Sequence, residues 1–364
     1  MVSTNEPTVT QRSVTFINYN TPASITAKEI DLDSCCNEDE IVVNVKAAAL
    51  NPIDFMLHGL CFPYVNPNNL KTYSRDYAGI VVRKGANVDP KWQLGDHVNG
   101  MFAHIYGDQG SLSDYLIINP LKQPSIAHID DTESFEKAAA WPLVFGTAYA
   151  VLFHNKQKWN KNSKILVIGA STSVSNCLVQ IAKNHLKIGT VVGVCNKNSI
   201  ARNKKFGYDY LVPYDDEQGN NVTVANVQKL IKEHLNGEKF DLIFDSVGNN
   251  QFFQIMDSVL KPINTDSFYT TIVGDKKANY KNPSVLSFVP YKIPFRAFNP
   301  LRKFNYSFAF VKSEFSFMEL GSLMIKKGTF KPQIDSVFSF KDFNEAIDRA
   351  KSNKAKGKVI IKID

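Results

Sequence analysis

Short apolar runs set off by polar, turn-forming stretches recur along the chain, and from about residue 164 they alternate with segments whose apolar residues fall at helical spacing. The clearest unit is KILVIGASTSVSNCLVQIAK, residues 164–183. Residues 165–168 are all apolar and too few for a helix, the pattern of a parallel strand covered on both faces. Val174, Leu178, Ile181 and Ala182 then recur at helical spacing. Between them lies a turn of small residues, Gly169, Ala170, Ser171, Thr172 and Ser173, which predicts free amides and a helix N-terminus where a phosphate could rest. Only Gly169 remains of the glycines that usually let a dinucleotide approach such a turn.

Further strands are predicted at 190–195, 210–214, 240–248 and 268–274, with helices at 200–206, 222–235 and 251–260 between them. Such alternation predicts a doubly wound parallel sheet. Upstream, strands at 13–19, 40–46, 78–83 and 110–118, and a turn at Gly95–Val98 into another, predict a small barrel. Residues 134–153 read as helical with a break at Pro142. Helices at 315–326 and 342–351 follow, and a terminal strand at 357–364 is expected to return to the barrel. The fold class is α/β. A β-rich barrel-like domain is expected over 1–142 and 313–364, and an inserted dinucleotide-binding domain over 143–312.

The length, 364 residues, suits two domains. No apolar run reaches the length of a membrane span, and neither a secretory leader nor a mitochondrial presequence is expected. Five irregularly spaced cysteines suggest a reducing compartment rather than a disulfide framework, with Cys35 and Cys36 read as idle thiols. The net charge of +7 has a local origin: residues 276–304 hold seven basic side chains and no acidic one. The balance elsewhere argues against a nucleic-acid binder. That segment also carries Tyr280, Phe288, Tyr291, Phe295, Phe298, Phe304 and four prolines. It reads either as a peripheral lipid-surface contact or as a substrate lid or subunit contact.

Ordered along nearly the whole chain stand ALNPIDFMLHG, RDYAGIV, LGDHV, GSLSDY, AAAWPLVFGTAY, ILVIGAS, FDLIFDSVG, IVG and EAIDRA…GKVIIKI. In this order they resemble the medium-chain dehydrogenase/reductase superfamily, in its zinc-independent quinone oxidoreductase-like branch. Within it the chain is similar to fungal quinone-oxidoreductase-like proteins of lipid droplets and mitochondria. The resemblance implies a GroES-like barrel with an inserted Rossmann domain, a nicotinamide cofactor, a small quinone or enone substrate, and commonly a homodimer. Zinc-dependent members carry a Cys/His metal set. Here the cysteine region holds Asn51, the histidine region holds Arg75 and Asp76, and 99–114 contains no cysteine, so no metal is expected. His58, His97 and His104 are given no catalytic role.

By motif match Asn51 and Asp54 fall beside nicotinamide or substrate, with Thr147 at the domain junction, and Tyr64 is a candidate proton donor or stacking wall. Asn51, Pro52 and Asp54 read equally as the cap of a helix that starts there. The phosphate contacts expected are Gly169, Ser171, Thr172, Ser173, Val174 and Ser175. The end of the second strand, Asn196 and Lys197, lacks a carboxylate and is followed by Arg202, which favours a 2′-phosphate and hence NADPH over a merely solvated basic face. Tyr214, Val247 and Gly274 complete the cofactor positions that the family pattern suggests. Two functions are carried forward: an NADPH-dependent, zinc-independent reductase of quinones or α,β-unsaturated carbonyls, and a catalytically silent relative acting at a lipid surface or as an interaction protein.

Overall fold

The computed structural model describes residues 8–64, 69–104, 107–277, 279, 292–298 and 302–364. The centre of the first sheet is β3 (Ile41–Leu50), which runs on through the alanines 47–49 because it has partners along its whole length. It pairs antiparallel with β5 (Asp76–Lys84), with β7 (Tyr115–Ile118) and, over its last four residues, with β16 (Lys358–Lys362). Small side chains let these strands and helix α2 (Phe135–Ala139) pack against the alanine stretch. The terminal strand thus returns to the barrel, with β15 (Ile334–Ser339) parallel to its outer edge. Strands β6 (His97–Met101) and β8 (Ile126–His128) extend the other side. A separate three-stranded sheet joins β1 (Thr8–Phe16), β2 (Ser24–Asp31) and β4 (Lys71–Thr72). Strand β2 escapes sequence reading because, lying at a sheet edge, it exposes most of its side chains on both faces.

The second sheet is six-stranded and wholly parallel, in the spatial order β11 (Tyr210–Pro213), β10 (Thr190–Cys195), β9 (Lys164–Ile168), β12 (Leu242–Asp245), β13 (Phe268–Thr271), β14 (Asn305–Phe308). This is the doubly wound order 3-2-1-4-5-6. The alternation within β9 shows how both faces are covered. Ile165 and Val167 join a core with α3 (Pro142–Phe153), α4 (Ser173–Gln180) and helix Phe315–Lys326, whereas Leu166 and Ile168 join one with α6 (Thr223–His234). The helix foreseen at 251–260 divides into a 3₁₀ turn, Gln251–Gln254, and α7 (Met256–Val259). Residues 280–291, which hold part of the basic aromatic segment, lie outside the described residues.

Gly321, on helix Phe315–Lys326, lets that helix lie directly on the Trp141 ring; a Cβ there would come within 2.5 Å of a ring carbon. Trp141 is buried among Phe145 and Phe330 and cannot swing away. Replacing Gly321 with Ala is expected to cost about 1–3 kcal/mol through overpacking, read as a lowered midpoint in urea or thermal unfolding.

Candidate functional site

At the end of β9 the chain turns through Gly169, whose φ of +88° suits glycine and whose missing side chain admits Val247 and Ser246 from the neighbouring strand end. Thr172 then caps α4, its Oγ1 accepting the Ser175 amide at 3.2 Å. The hydroxyls of Thr172, Ser175 and Ser246 lie 2.9–3.1 Å from one another, and Ser246 Oγ also donates to the Ile168 carbonyl at 2.9 Å. Ser175 is fully buried. These hydroxyls knit the turn to β12 rather than facing outward. Ser171 Oγ likewise accepts from Asn203 at 2.8 Å. What the turn offers an anion is therefore the amides of Ser173 and Val174, in the first helical turn, which a helix cannot satisfy from within.

On the β10 side, Asn196 begins a short 3₁₀ turn, Lys197–Ser199. Its amide group and the Lys197 backbone both donate to the Asp215 carboxylate, which arrives from the end of β11. No carboxylate is visible within the Asn196–Lys197 stretch itself; the fold brings one from 19 positions away, and both its oxygens are engaged. Lys197 is exposed and Arg202 half-buried, and neither forms an ion pair among the described residues. Tyr214, beside Asp215, is exposed.

On the β12 side, Asp245 collects the amides of Val247, Gly248 and Asn249 at 2.6–3.0 Å and the Tyr269 hydroxyl at 2.8 Å. Burial pushes its pKa up to about 6 against the pull of those bonds. Gly274 closes the next turn with a φ of +83°, its amide donating to Thr271 Oγ1 at 3.0 Å. Val247 and Gly274 thus both stand on turns at the carboxyl ends of the parallel strands.

The barrel contributes a buried polar cluster. Helix α1 (Pro52–Gly59) starts at Asn51 with proline in its first turn, and Asp54 Oδ2 accepts the Asn51 amide at 2.8 Å. Asn51 also reaches inward: its Nδ2 donates to the Ala49 carbonyl and, at 2.9 Å, to Asp76 Oδ2. Its Oδ1 accepts from Lys358 Nζ. Lys358 lies 3.0 Å from Asp76 Oδ2, and the Leu143 amide donates to Asp76 Oδ1 at 2.8 Å. Asp76 is fully enclosed and Lys358 is 4% exposed. Burial raises the Asp76 pKa, opposed mainly by the Lys358 ammonium. Asp54 is pushed up to about 7 by burial, with the Arg75 guanidinium opposing, and its Oδ1 has no hydrogen-bond partner. Thr147 donates to the Leu143 carbonyl one turn back, at 2.7 Å. Tyr64 stands apart at 97% exposure and joins neither cluster, so it forms no wall of this interior.

Where α4 meets the last barrel strand lies a narrow hollow with room for about one water, lined among others by Ala140, Val144, Ser173, Asn176, Cys177 and Lys358. Lys358 is the participant that sequence reading missed. Its signal was a lysine opening the otherwise apolar run of the terminal strand, KVII.

The segment 37–122 matches the alcohol dehydrogenase GroES-like domain, and 206–361 matches the zinc-binding dehydrogenase model. The chain is 53% identical over 363 residues to Protein YIM1 of Saccharomyces cerevisiae (strain RM11-1a), covering 98% of each. The chain is a medium-chain dehydrogenase/reductase. Among solved structures, the quinone oxidoreductase from Coxiella burnetii superposes with a TM-score of 0.72 at 18% identity, over 98% of this chain and 100% of that one. A Pseudomonas syringae quinone oxidoreductase gives 0.68 at 20% identity, over 97% and 99%. In this medium-chain dehydrogenase/reductase the family fold carries a nicotinamide-binding domain, and the free amides at Ser173 and Val174 suit a pyrophosphate. Zinc does not fit: among the described residues no three His, Cys, Asp or Glu side chains gather as ligands, and the Arg75 guanidinium lies beside Asp54 where a cation would be repelled.

Asp54 gives this medium-chain dehydrogenase/reductase a testable pH dependence. Its folded pKa, about 7, lies above its ordinary 3.8, so between those values the folded chain holds a proton that the unfolded chain has released. Stability from this group therefore falls as pH rises through the window and stays low above about 7. Replacing Asp54 with Asn is expected to flatten the stability–pH curve between pH 4 and 7, and to raise stability at pH 8 by roughly 1–3 kcal/mol, measured by urea unfolding at each pH.

Proposed function

We propose that the protein is an NADPH-dependent, zinc-independent reductase of quinones or α,β-unsaturated carbonyls, transferring hydride to an electron-poor double bond or ring. The observation that carries this reading is the pair of amides at Ser173 and Val174 that α4 leaves unsatisfied, at the carboxyl end of the central strand of a doubly wound sheet. Bound there, the dinucleotide supplies the hydride. The chain's own residues do the rest. The amides of Ser173 and Val174 would hold the pyrophosphate, Gly169 allows the turn, and Val247 and Gly274, on the neighbouring strand ends, would border the dinucleotide.

Lys197 and Arg202 are the cations available to a 2′-phosphate. Asp215, although near, is held by Asn196 and the Lys197 amide and so serves to set that turn. Calorimetric titration tests the reading. NADPH is expected to bind at micromolar concentration and more tightly than NADH. Joint replacement of Lys197 and Arg202 with Ala should weaken NADPH about tenfold or more while leaving NADH nearly unchanged. Absence of binding by either dinucleotide would remove the assignment.

A second reading, a silent relative at a lipid-droplet or mitochondrial surface, draws on Phe295 and Phe298, which project 76% and 82% exposed from helix Lys292–Ala297 and its end. Arg296, grouped with the lipid-facing cations on sequence grounds, instead pairs with Asp275 at 2.8 Å and stacks 3.9 Å over Phe253. Among the described residues no helix is long and apolar enough to cross a membrane. Replacing Phe295 and Phe298 with Ser is expected to release the protein from anionic vesicles in a flotation assay if this surface is used, with no change in thermal midpoint.

A further inference from the structure

The turn after β9 sends its hydroxyls in two directions. Thr172 and Ser175 pair with Ser246 on the β12 side, whereas Ser171 turns the other way, toward α5 (Ile200–Asn203), which follows the end of β10. There its Oγ accepts from Asn203 Nδ2 at 2.8 Å. Asn203 is fully buried and also borders Cys195, the last residue of β10, so the donor is held in place. A serine hydroxyl accepts and donates at once. Asn203 occupies a lone pair and leaves the proton, and among the described residues Ser171 Oγ has no other partner. Ser171 is only half-buried, which leaves that proton open to a ligand. The side to which it turns is the side of Lys197 and Arg202, Arg202 being the residue before Asn203. In a doubly wound nucleotide fold the adenosine ribose lies between the first turn and the end of the second strand.

We propose that Ser171 is a third ligand of the 2′-phosphate and that Asn203 is the residue that positions it, so that preference for NADPH is set in the phosphate turn as well as in the basic segment. The inference rests on the NADPH reading above. The Ser171 hydroxyl donates to a phosphate oxygen while Asn203 donates to the hydroxyl, and a hydroxyl that is itself accepting is the better donor. Lys197 and Arg202 supply charge on long stems; Ser171 supplies a fixed direction on a short one. NADH presents a neutral ribose hydroxyl there instead of a phosphate, and a hydrogen bond to an ionised acceptor is roughly twice as strong as a neutral one. Tyr208 gives the contrast. It too reaches the turn from the segment after β10, but its hydroxyl lies 3.1 and 3.3 Å from the carbonyls of Ala170 and Ser175, groups that a phosphate avoids. It holds the turn and contributes nothing to the 2′-phosphate.

The test uses the full chain as wild type, Ser171→Ala, Asn203→Ala, the double variant of these two, and Tyr208→Phe, each checked for fold by circular dichroism and thermal unfolding. Dissociation constants for NADPH and NADH are read by calorimetry. Ser171→Ala is expected to weaken NADPH about tenfold and NADH less than about twofold. Asn203→Ala should match it, and adding Asn203→Ala to Ser171→Ala should cost less than about twofold more, because the asparagine acts only through that hydroxyl. Tyr208→Phe should lower the thermal midpoint and leave the ratio of the two constants within about twofold of wild type. Where Asn203→Ala fails to fold, the near-isosteric Asn203→Asp takes its place: a carboxylate accepts the serine proton, withdraws it from the phosphate and should abolish the same preference. Unchanged NADPH preference in Ser171→Ala overturns the proposal. Equal losses for both dinucleotides overturn it too, and make Ser171 a pyrophosphate contact. Additive losses in the double variant overturn the role of Asn203. A wild type that binds NADPH no more tightly than NADH, or binds neither, sinks the NADPH reading and this inference with it.

Discussion

The carboxylate of Asp76 is the interaction on which the site's geometry depends. From a fully enclosed position it accepts from Asn51, from the Leu143 amide and from Lys358, groups 25, 67 and 282 positions away in sequence. It therefore binds the start of α1, the first turn of α3 and the last barrel strand to β5. An ionised carboxylate without such donors would be intolerable at this depth, and breaking one arm leaves the other charge unmatched, at a cost of about 3–5 kcal/mol. The arrangement gains no great stability over an apolar core. What it provides is a single defined position for each partner, and α3, which runs from the barrel into the nucleotide domain, is oriented by it.

A second constraint sits at the turn after β9. A glycine-rich turn lets a phosphate approach because nothing projects from the backbone. Here Thr172 and Ser175 carry side chains, and the fold accommodates them by turning both hydroxyls toward Ser246. The surface left to a ligand is main chain, as in a glycine turn, although the residues differ. Ser246 follows Asp245, whose carboxylate gathers three amides of the adjoining turn, so the ends of β9 and β12 are fixed by one continuous set of hydrogen bonds.

The parallel sheet was legible in the sequence because its strands are covered on both faces and read as unbroken apolar runs bounded by turn residues. Edge elements were not: β2 is mostly polar, and β14 and β15 are too short or too mixed to stand out. The helix at 251–260 was half legible, since its apolar spacing is helical but the segment tightens into a 3₁₀ turn before α7. In the site, Asn51 and Asp54 were found by motif match, and their equal reading as a helix cap is what the start of α1 shows. Asp215 and Lys358 were not, because their partners lie on other strands and no local spacing signals a contact made across 19 or 307 residues.

The pairing of β16 with β3 has a consequence for how the molecule comes into being. During synthesis the six parallel strands, all between residues 164 and 308, leave the ribosome before the strand that finishes the barrel. The nucleotide-binding half can therefore be assembled first, while β3 keeps an open edge along its alanines until residues 358–362 appear. The ammonium that completes the interior arrives on that final strand. A nascent chain that halts before residue 358 leaves Asp76 without its counter-charge and the barrel with an unpaired edge open to any neighbour, so the two halves of the interior are joined only when that strand has been made.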